Sequence, residues 1–153
     1  MAHNRPNSTV QFETITRASQ LVKTFFPDTP VYPAMGNNDV FPDYHFPLST
    51  NTTWMDDLTQ LWSDLGWLSS DSISTFNPNG YYTVPSLWDG GPKLITLNTL
   101  LYSVWLVDST DPNEYWATPP SQLPDDPNNQ FAWLTQELRD ARSANQKYFL
   151  FEK

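Results

Sequence analysis

The sequence contains no cysteine. That excludes a disulfide framework, a thiolate metal centre and a Cys–His catalytic pair. Histidine is nearly absent as well, at two residues, so no zinc-finger arrangement can form. Charged residues make up only 16%, and the 8 Lys and Arg stand against 17 Asp and Glu, for a net charge of −9. Nucleic-acid binding through phosphates needs clustered cations, so a nucleic-acid partner is not expected. The charge suits an acidic compartment or cation binding, and a solvated acidic surface accounts for it. No run of 18 apolar residues occurs, so nothing is expected to span a membrane. Met1-Ala2-His3-Asn4-Arg5-Pro6 carries no apolar signal-peptide stretch. Glycine is scarce at five, and the sequence has no P-loop, no G-x-G-x-x-G and no G-x-S-x-G nucleophile elbow.

What is present points to a folded domain. At 153 residues the chain suits one domain with a sizeable core, taken here as 1–153. Aromatics reach 15%, with seven Trp, and a disordered chain is poor in them. Proline is high at 14. The sequons Asn7-Ser8-Thr9 and Asn51-Thr52-Thr53 gain meaning only in a secreted chain.

Periodicity predicts a helix over 8–26, with Ser8 and Gln11 as a capping box. Val10, Ile15, Ala18, Val22 and Phe25 form its apolar stripe, broadened by Leu21 and Phe26. Val31–Met35 reads as a short buried strand after the Pro27/Pro30 turn. Helix then strand is half of a βαβ unit, whose other strand is expected before Met1. A Pro-rich loop covers 40–52. A second helix is predicted over 53–65, with Trp54, Leu58, Leu61, Trp62 and Leu65 inward and Gly66 as its stop. A short helix is expected over 69–74. Strands over 80–84 and 93–101, joined through Trp88-Asp89-Gly90-Gly91-Pro92, read as a hairpin. A long loop rich in Pro and Asp follows over 106–127. A third helix is predicted over 128–144, with Phe131, Leu134, Leu138 and Ala141 inward, and then an apolar strand over 148–151.

The segment with the most chemistry is Pro30-Val31-Tyr32-Pro33-Ala34-Met35-Gly36-Asn37-Asn38-Asp39. An apolar strand that stops at glycine and hands polar side chains to its C-terminal end is how open α/β sheets build active sites. The segment resembles the GNHD block of the calcineurin-like metallophosphoesterases, and most closely their acid sphingomyelinase-like branch. Phe41-Pro42-Asp43-Tyr44-His45-Phe46-Pro47 resembles the Pro-rich loop that follows the block. Gly80-Tyr81-Tyr82, Leu94-Ile95-Thr96-Leu97-Asn98-Thr99 and Asp126-Pro127-Asn128-Asn129-Gln130-Phe131-Ala132-Trp133-Leu134 are similar to further family segments in the same order. Ala2-His3-Asn4 resembles the tail of a GDxxAHD block.

The resemblance implies an α/β fold, a partial two-sheet sandwich flanked by helices. It implies a hydrolase that splits phosphodiesters, sphingomyelin-like or nucleotide-like, with two metal ions, usually zinc. Family members are generally secreted or lysosomal, which would make the sequons meaningful. Asn37 matches the family's amide metal ligand. Asn38 stands where the family has a histidine that protonates the leaving oxygen, and an amide cannot do that. Asp39 matches the residue that orients this histidine and is otherwise a turn carboxylate. His3 matches a second active-site histidine. The family's other ligands lie in blocks before and after the matched region. The expectation is therefore an internal stretch of a catalytic domain, inactive by itself. The alternative is a non-catalytic folded binding module derived from the same family.

Two local readings stand beside these. Asp43-Tyr44-His45 with Asp39 would make a shifted mononuclear metal site. Trp54, Trp62 and Trp133 fit helix packing, whereas Trp88, Trp105 and Trp116 lie on or near loops and are the aromatic candidates for lipid or substrate contact.

Overall fold

A computed structural model describes residues 7–48, 50, 52–111, 113 and 116–152. Among them are four helices and one three-stranded sheet, a mixed α/β fold.

Helix α1 (Ser8–Phe25) is capped by Asn7, whose Oδ1 accepts from Val10 N at 3.0 Å. The expected Ser8–Gln11 capping box does not form. Gln11, 8% exposed, turns inward and donates to the carbonyls of Asn38 and Val40 at 2.7 and 2.9 Å. Ser19, one face-repeat further on, accepts from Trp62 Nε1 at 3.3 Å. These satisfied polar groups set the rotation of the helix. Phe12 and Ile15 pack against the core with them, while Val10, Leu21, Val22, Phe25 and Phe26 of the expected stripe are exposed.

The strand expected at Val31–Met35 is not one; the segment is irregular. Pro33 has no N–H to give a ladder, and its carbonyl accepts from the Tyr82 hydroxyl at 2.9 Å. Met35 is fully buried at its end.

Helix α2 (Thr53–Asp64) follows the sequence closely. Thr52 Oγ1 caps it by accepting from Met55 N at 3.2 Å, and Gly66 stands just past its end with φ of 74°. Met55, Leu58 and Trp62 are buried and Leu61 and Leu65 pack on the core from its margin. Helix α3 (Ser70–Asn79) begins as expected and runs past Ser74, ending at Gly80 in the left-handed region, φ 71°. A Cβ on Gly80 would lie 2.6 Å from Asn98 Nδ2, so only glycine fits the backbone and the space there.

Strand β1 (Tyr82–Val84) pairs antiparallel with β2 (Lys93–Thr96), Tyr82 opposite Thr96, as the predicted hairpin requires. The strand predicted to reach Leu101 stops at Thr96. There Asn98 N donates to Gln130 Oε1 at 2.7 Å and Asn98 O accepts from Gln130 Nε2 at 3.2 Å, and the chain turns into a 3-10 turn over Thr99–Tyr102. Strand β3 (Tyr148–Phe151) pairs parallel with β2, Lys93 opposite Tyr148, giving the order β1-β2-β3.

Helix α4 (Gln130–Ser143) starts later than predicted because Asn128 and Asn129 are left-handed, φ 51° and 57°. Asp126 reaches over them to accept from Phe131 N and Ala132 N at 2.8 and 2.9 Å. Phe131, expected inward, is half exposed and stacks on Tyr102 with ring centroids 4.5 Å apart. Ala141 and Gln130 are the buried residues of α4. The core joins α2, α3 and β1 to the segment 100–106 and lies beneath the loop 35–46, with Phe76 edge-on to Tyr82 and tilted on Trp62.

Candidate functional site

The segment Gly36–Val40 is irregular, yet each of its five carbonyls is bonded. Gly36 O accepts from Asp39 N at 3.1 Å and Asn37 O from Tyr44 N at 3.3 Å. Asn38 O and Val40 O accept from the single Gln11 amide, and Asp39 O from Trp54 Nε1 at 2.7 Å. Asp39 Oδ2 closes the turn by accepting from Gly36 N at 2.8 Å. Trp54 is itself fixed by Phe12, edge-on at 5.5 Å, and by Phe41 at 5.7 Å. Beyond the turn, Val107 N donates to Tyr44 O and Phe46 N to Val107 O, at 2.9 and 3.1 Å. Tyr44 holds φ of 65°, a strained value for a bulky residue. All five carbonyls of the segment are thus engaged, and the Asn37 and Asn38 side chains sit on this braced corner.

Asn37 Nδ2 donates to Asn38 Oδ1 at 2.9 Å. Among the described residues Asn37 Oδ1 accepts nothing, and Asn37 lines a recess of about 300 Å³ with Tyr44, Thr99, Leu100 and Ser103. A second cavity, of about 330 Å³, is bordered by Val40, Phe41, Pro42, His45 and Trp54.

The sequence-predicted site residues divide as follows. Asn37 and Asn38 are adjacent and presented on the corner. Asp39 is a turn carboxylate engaged by Gly36 N. His3 and Asn51 lie outside the described residues. The shifted site of Asp39, Asp43 and His45 is not assembled: among the described residues no three His, Asp or Glu side chains converge as a metal site. His45 is buried, with its backbone paired to Val107. Trp88, Trp105 and Trp116 are exposed at 61, 64 and 83%. Sequence reading missed Gln11, Trp54, Thr99 and Ser103. The spacing of Gln11 to Ile15 and Ser19, one helical face, was the available signal for the first.

Shifted acidities lie away from the corner. Asp126 is raised by partial burial, but the Phe131 and Ala132 N–H groups and the Tyr102 hydroxyl more than offset this and hold it below the usual carboxylate range. Burial, helped by the hydrogen bond to Asp126, pushes the Tyr102 phenol up. Burial and then the Asp126 charge push Tyr81 up to about 12. These phenols stay protonated at neutral pH and are not bases there.

A zinc centre takes about four ligands that converge on the ion. Asn37 Oδ1, which accepts nothing among the described residues, fits the part of one such ligand. The described residues as a set do not make a metal centre.

No family model matches the chain. It is 32% identical over 151 residues to sphingomyelinase phosphodiesterase C of Dictyostelium discoideum, an alignment covering 98% of this chain and 30% of the relative. It is 32% identical over 142 residues to acid sphingomyelinase-like phosphodiesterase 3b of Homo sapiens, covering 90% of this chain and 27% of that protein. A cyclic GMP-AMP phosphodiesterase of Homo sapiens is 28% identical over 139 residues, covering 89% of this chain and 27% of its own length. The chain spans about 30% of the length of these relatives or slightly less. Nearly all of it aligns, in line with the motifs around Asn37. The chain belongs to the acid sphingomyelinase-like phosphodiesterases.

Proposed function

We propose that this chain carries the Asn37 corner of a metal-dependent phosphodiester hydrolase, and that by itself it turns over no phosphodiester. The observation that carries the reading is Asn37 Oδ1, without a donor among the described residues, on a corner whose five carbonyls are all occupied. Zinc ions, when bound, supply Lewis-acid stabilisation of phosphate charge and an activated water. The contribution of this chain is positional. Asn37 offers one neutral oxygen, held by the Nδ2 bond to Asn38. Asn38 can donate a hydrogen bond to a leaving oxygen but cannot protonate it, and loss of a general acid costs about 10²–10⁴-fold in rate. His3 is the proton donor of this reading. The substrate is a phosphodiester of sphingomyelin-like or nucleotide-like type. The sheet β1-β2-β3 forms part of a two-sheet sandwich, and the protein is secreted or lysosomal with Asn7 and Asn51 as glycan acceptors.

The replacement of the expected histidine by Asn38 favours a second reading, a non-catalytic binding module on the same fold. Hydrolysis of bis-p-nitrophenyl phosphate, sphingomyelin and a cyclic dinucleotide, with added zinc and with EDTA, tests the first. No turnover above blank is expected from the purified chain, and EDTA-sensitive hydrolysis would overturn its inactivity. Zinc titration by calorimetry then separates the readings: weak binding lost in Asn37→Ala supports the metal-ligand role, and binding unchanged by that substitution removes it.

A further inference from the structure

Two of the five glycines follow a residue whose side chain can close on the next backbone nitrogen: Gly80 after Asn79 and Gly90 after Asp89. A glycine nitrogen has no Cβ beside it to block that approach. In the reaction the backbone nitrogen bonds to the side-chain Cγ, and a succinimide ring forms. Asn79 would release ammonia, and Asp89 would release water. Water then adds to the ring. Breaking the new N–Cγ bond gives aspartate, whereas breaking the N–C bond of the original peptide gives isoaspartate. The isoaspartyl main chain runs through Cβ, so it is one methylene longer and carries a free α-carboxylate. No oxidant, reductant or cofactor is consumed.

The fold treats the two pairs in opposite ways. Gly80 is buried at the end of α3, and its N donates to Phe76 O at 2.7 Å. Asn79 Nδ2 donates to Thr75 O at 3.0 Å, and Asn79 O accepts from Asn98 Nδ2 at 2.9 Å. The attacking nitrogen, the amide that must leave and the carbonyl between them are all held. Ring closure there has to break these bonds inside a packed site first.

Asp89 and Gly90 form the middle of the turn between β1 and β2, which closes where Gly91 N donates to Trp88 O at 2.7 Å. Both residues are exposed. Among the described residues neither the Asp89 carboxylate nor Gly90 N makes a hydrogen bond. A Cβ on Gly90 would meet no atom within 4 Å, so a ring can form there without moving a neighbour. The turn also carries Leu87 N donating to Pro92 O at 3.0 Å and Gln146 Nε2 donating to Gly91 O at 3.1 Å. An extra methylene at Asp89 falls between Trp88 O and Gly91 N and spreads that closure.

We propose that Asp89 is a site of isoaspartate formation in the folded protein, and that Asn79 is shielded from the same chemistry until the chain unfolds. The inference stands on the surroundings of the two glycines and not on the phosphodiesterase reading.

Incubation of the folded chain in water enriched in heavy oxygen, at neutral pH and body temperature, followed by chymotryptic peptide mapping, tests the proposal. The Asp89 peptide should gain one heavy oxygen and split into two isomeric peaks. The isoaspartyl peak should accept a methyl group from a protein isoaspartyl methyltransferase. Asn79 should keep its amide over the same time. In urea the order should reverse, with Asn79 changing faster, because the ionised Asp89 carboxylate is the poorer electrophile. Asp89→Glu would need a six-membered ring, so it should lose the heavy-oxygen uptake while staying folded. Absence of uptake at Asp89 in the folded chain, uptake that survives Asp89→Glu, loss of the Asn79 amide ahead of Asp89 in the folded chain, or an Asn79 no faster in urea would overturn it. No phosphodiester hydrolysis is read, so the catalytic reading stands or falls separately.

Discussion

The Asn37 corner and strand β3 are opposite ways of holding a backbone. The corner has no regular structure, yet five successive carbonyls are bonded, three of them by side chains from α1 and α2. Strand β3 is regular, but it lies at the edge of the sheet, and its four side chains are each about half exposed. Regularity and fixity are therefore separate properties here. The corner is specified by long-range side-chain donors, the edge by one ladder alone.

The largest effect on this contrast comes from the glycine that lets α3 turn back toward the corner. Gly80→Ala forces a side chain into the left-handed region and against Asn98 Nδ2, 2.6 Å away, directly beside Met35. A loss of about 2–3 kcal/mol in urea unfolding is expected from strain and collision together. Gln11→Ala acts on the corner alone. It leaves the Asn38 and Val40 carbonyls without their donor, and about 1–3 kcal/mol should be lost, measured by thermal or urea denaturation.

Asp126→Asn tests a cap remote from both regions. It weakens the bonds to Phe131 N, Ala132 N and the Tyr102 hydroxyl, and about 1 kcal/mol should be lost at neutral pH. The carboxyl is held below its ordinary value in the folded protein. Its contribution is therefore fully present above the unfolded carboxylate pKa and is lost as pH falls through the depressed folded value. The parent and variant stabilities should converge across that acidic window and stay apart above it. The smallest effect is Phe25→Ser. Phe25 is 73% exposed, so unfolding should shift by no more than about 0.5 kcal/mol; a large loss would show that the exposed α1 face is packed after all.

The parts of the fold legible in the sequence are those where apolar period and structure agree. Helix α2 buries the predicted face because Leu58 is wholly apolar and the one polar atom of Trp62, its Nε1, finds Ser19 Oγ as acceptor. The β1–β2 hairpin forms where turn residues separate two apolar runs. Helix α1 was misread because Gln11 and Ser19 are buried through hydrogen bonds, which period counting scores as solvent-facing. Val31–Met35 read as a strand from apolarity alone, while Pro33 lacks the donor a ladder needs. The start of α4 was misplaced because two left-handed asparagines precede it. At the site, Asn37 and Asn38 were visible as a motif, but the donors from Gln11 and Trp54 come from 27 and 15 residues away and leave no local signal.

The most direct test of the prebuilt corner is amide hydrogen exchange of the unmodified chain. The amides of Gly36, Asp39 and Tyr44, bonded to Asp39 Oδ2, Gly36 O and Asn37 O, should be protected to the level of Lys93 and Leu97 in and beside β2. Exchange at those corner amides as fast as in an open loop would contradict the account, because Asn37 would then sit on a segment that its partners do not hold.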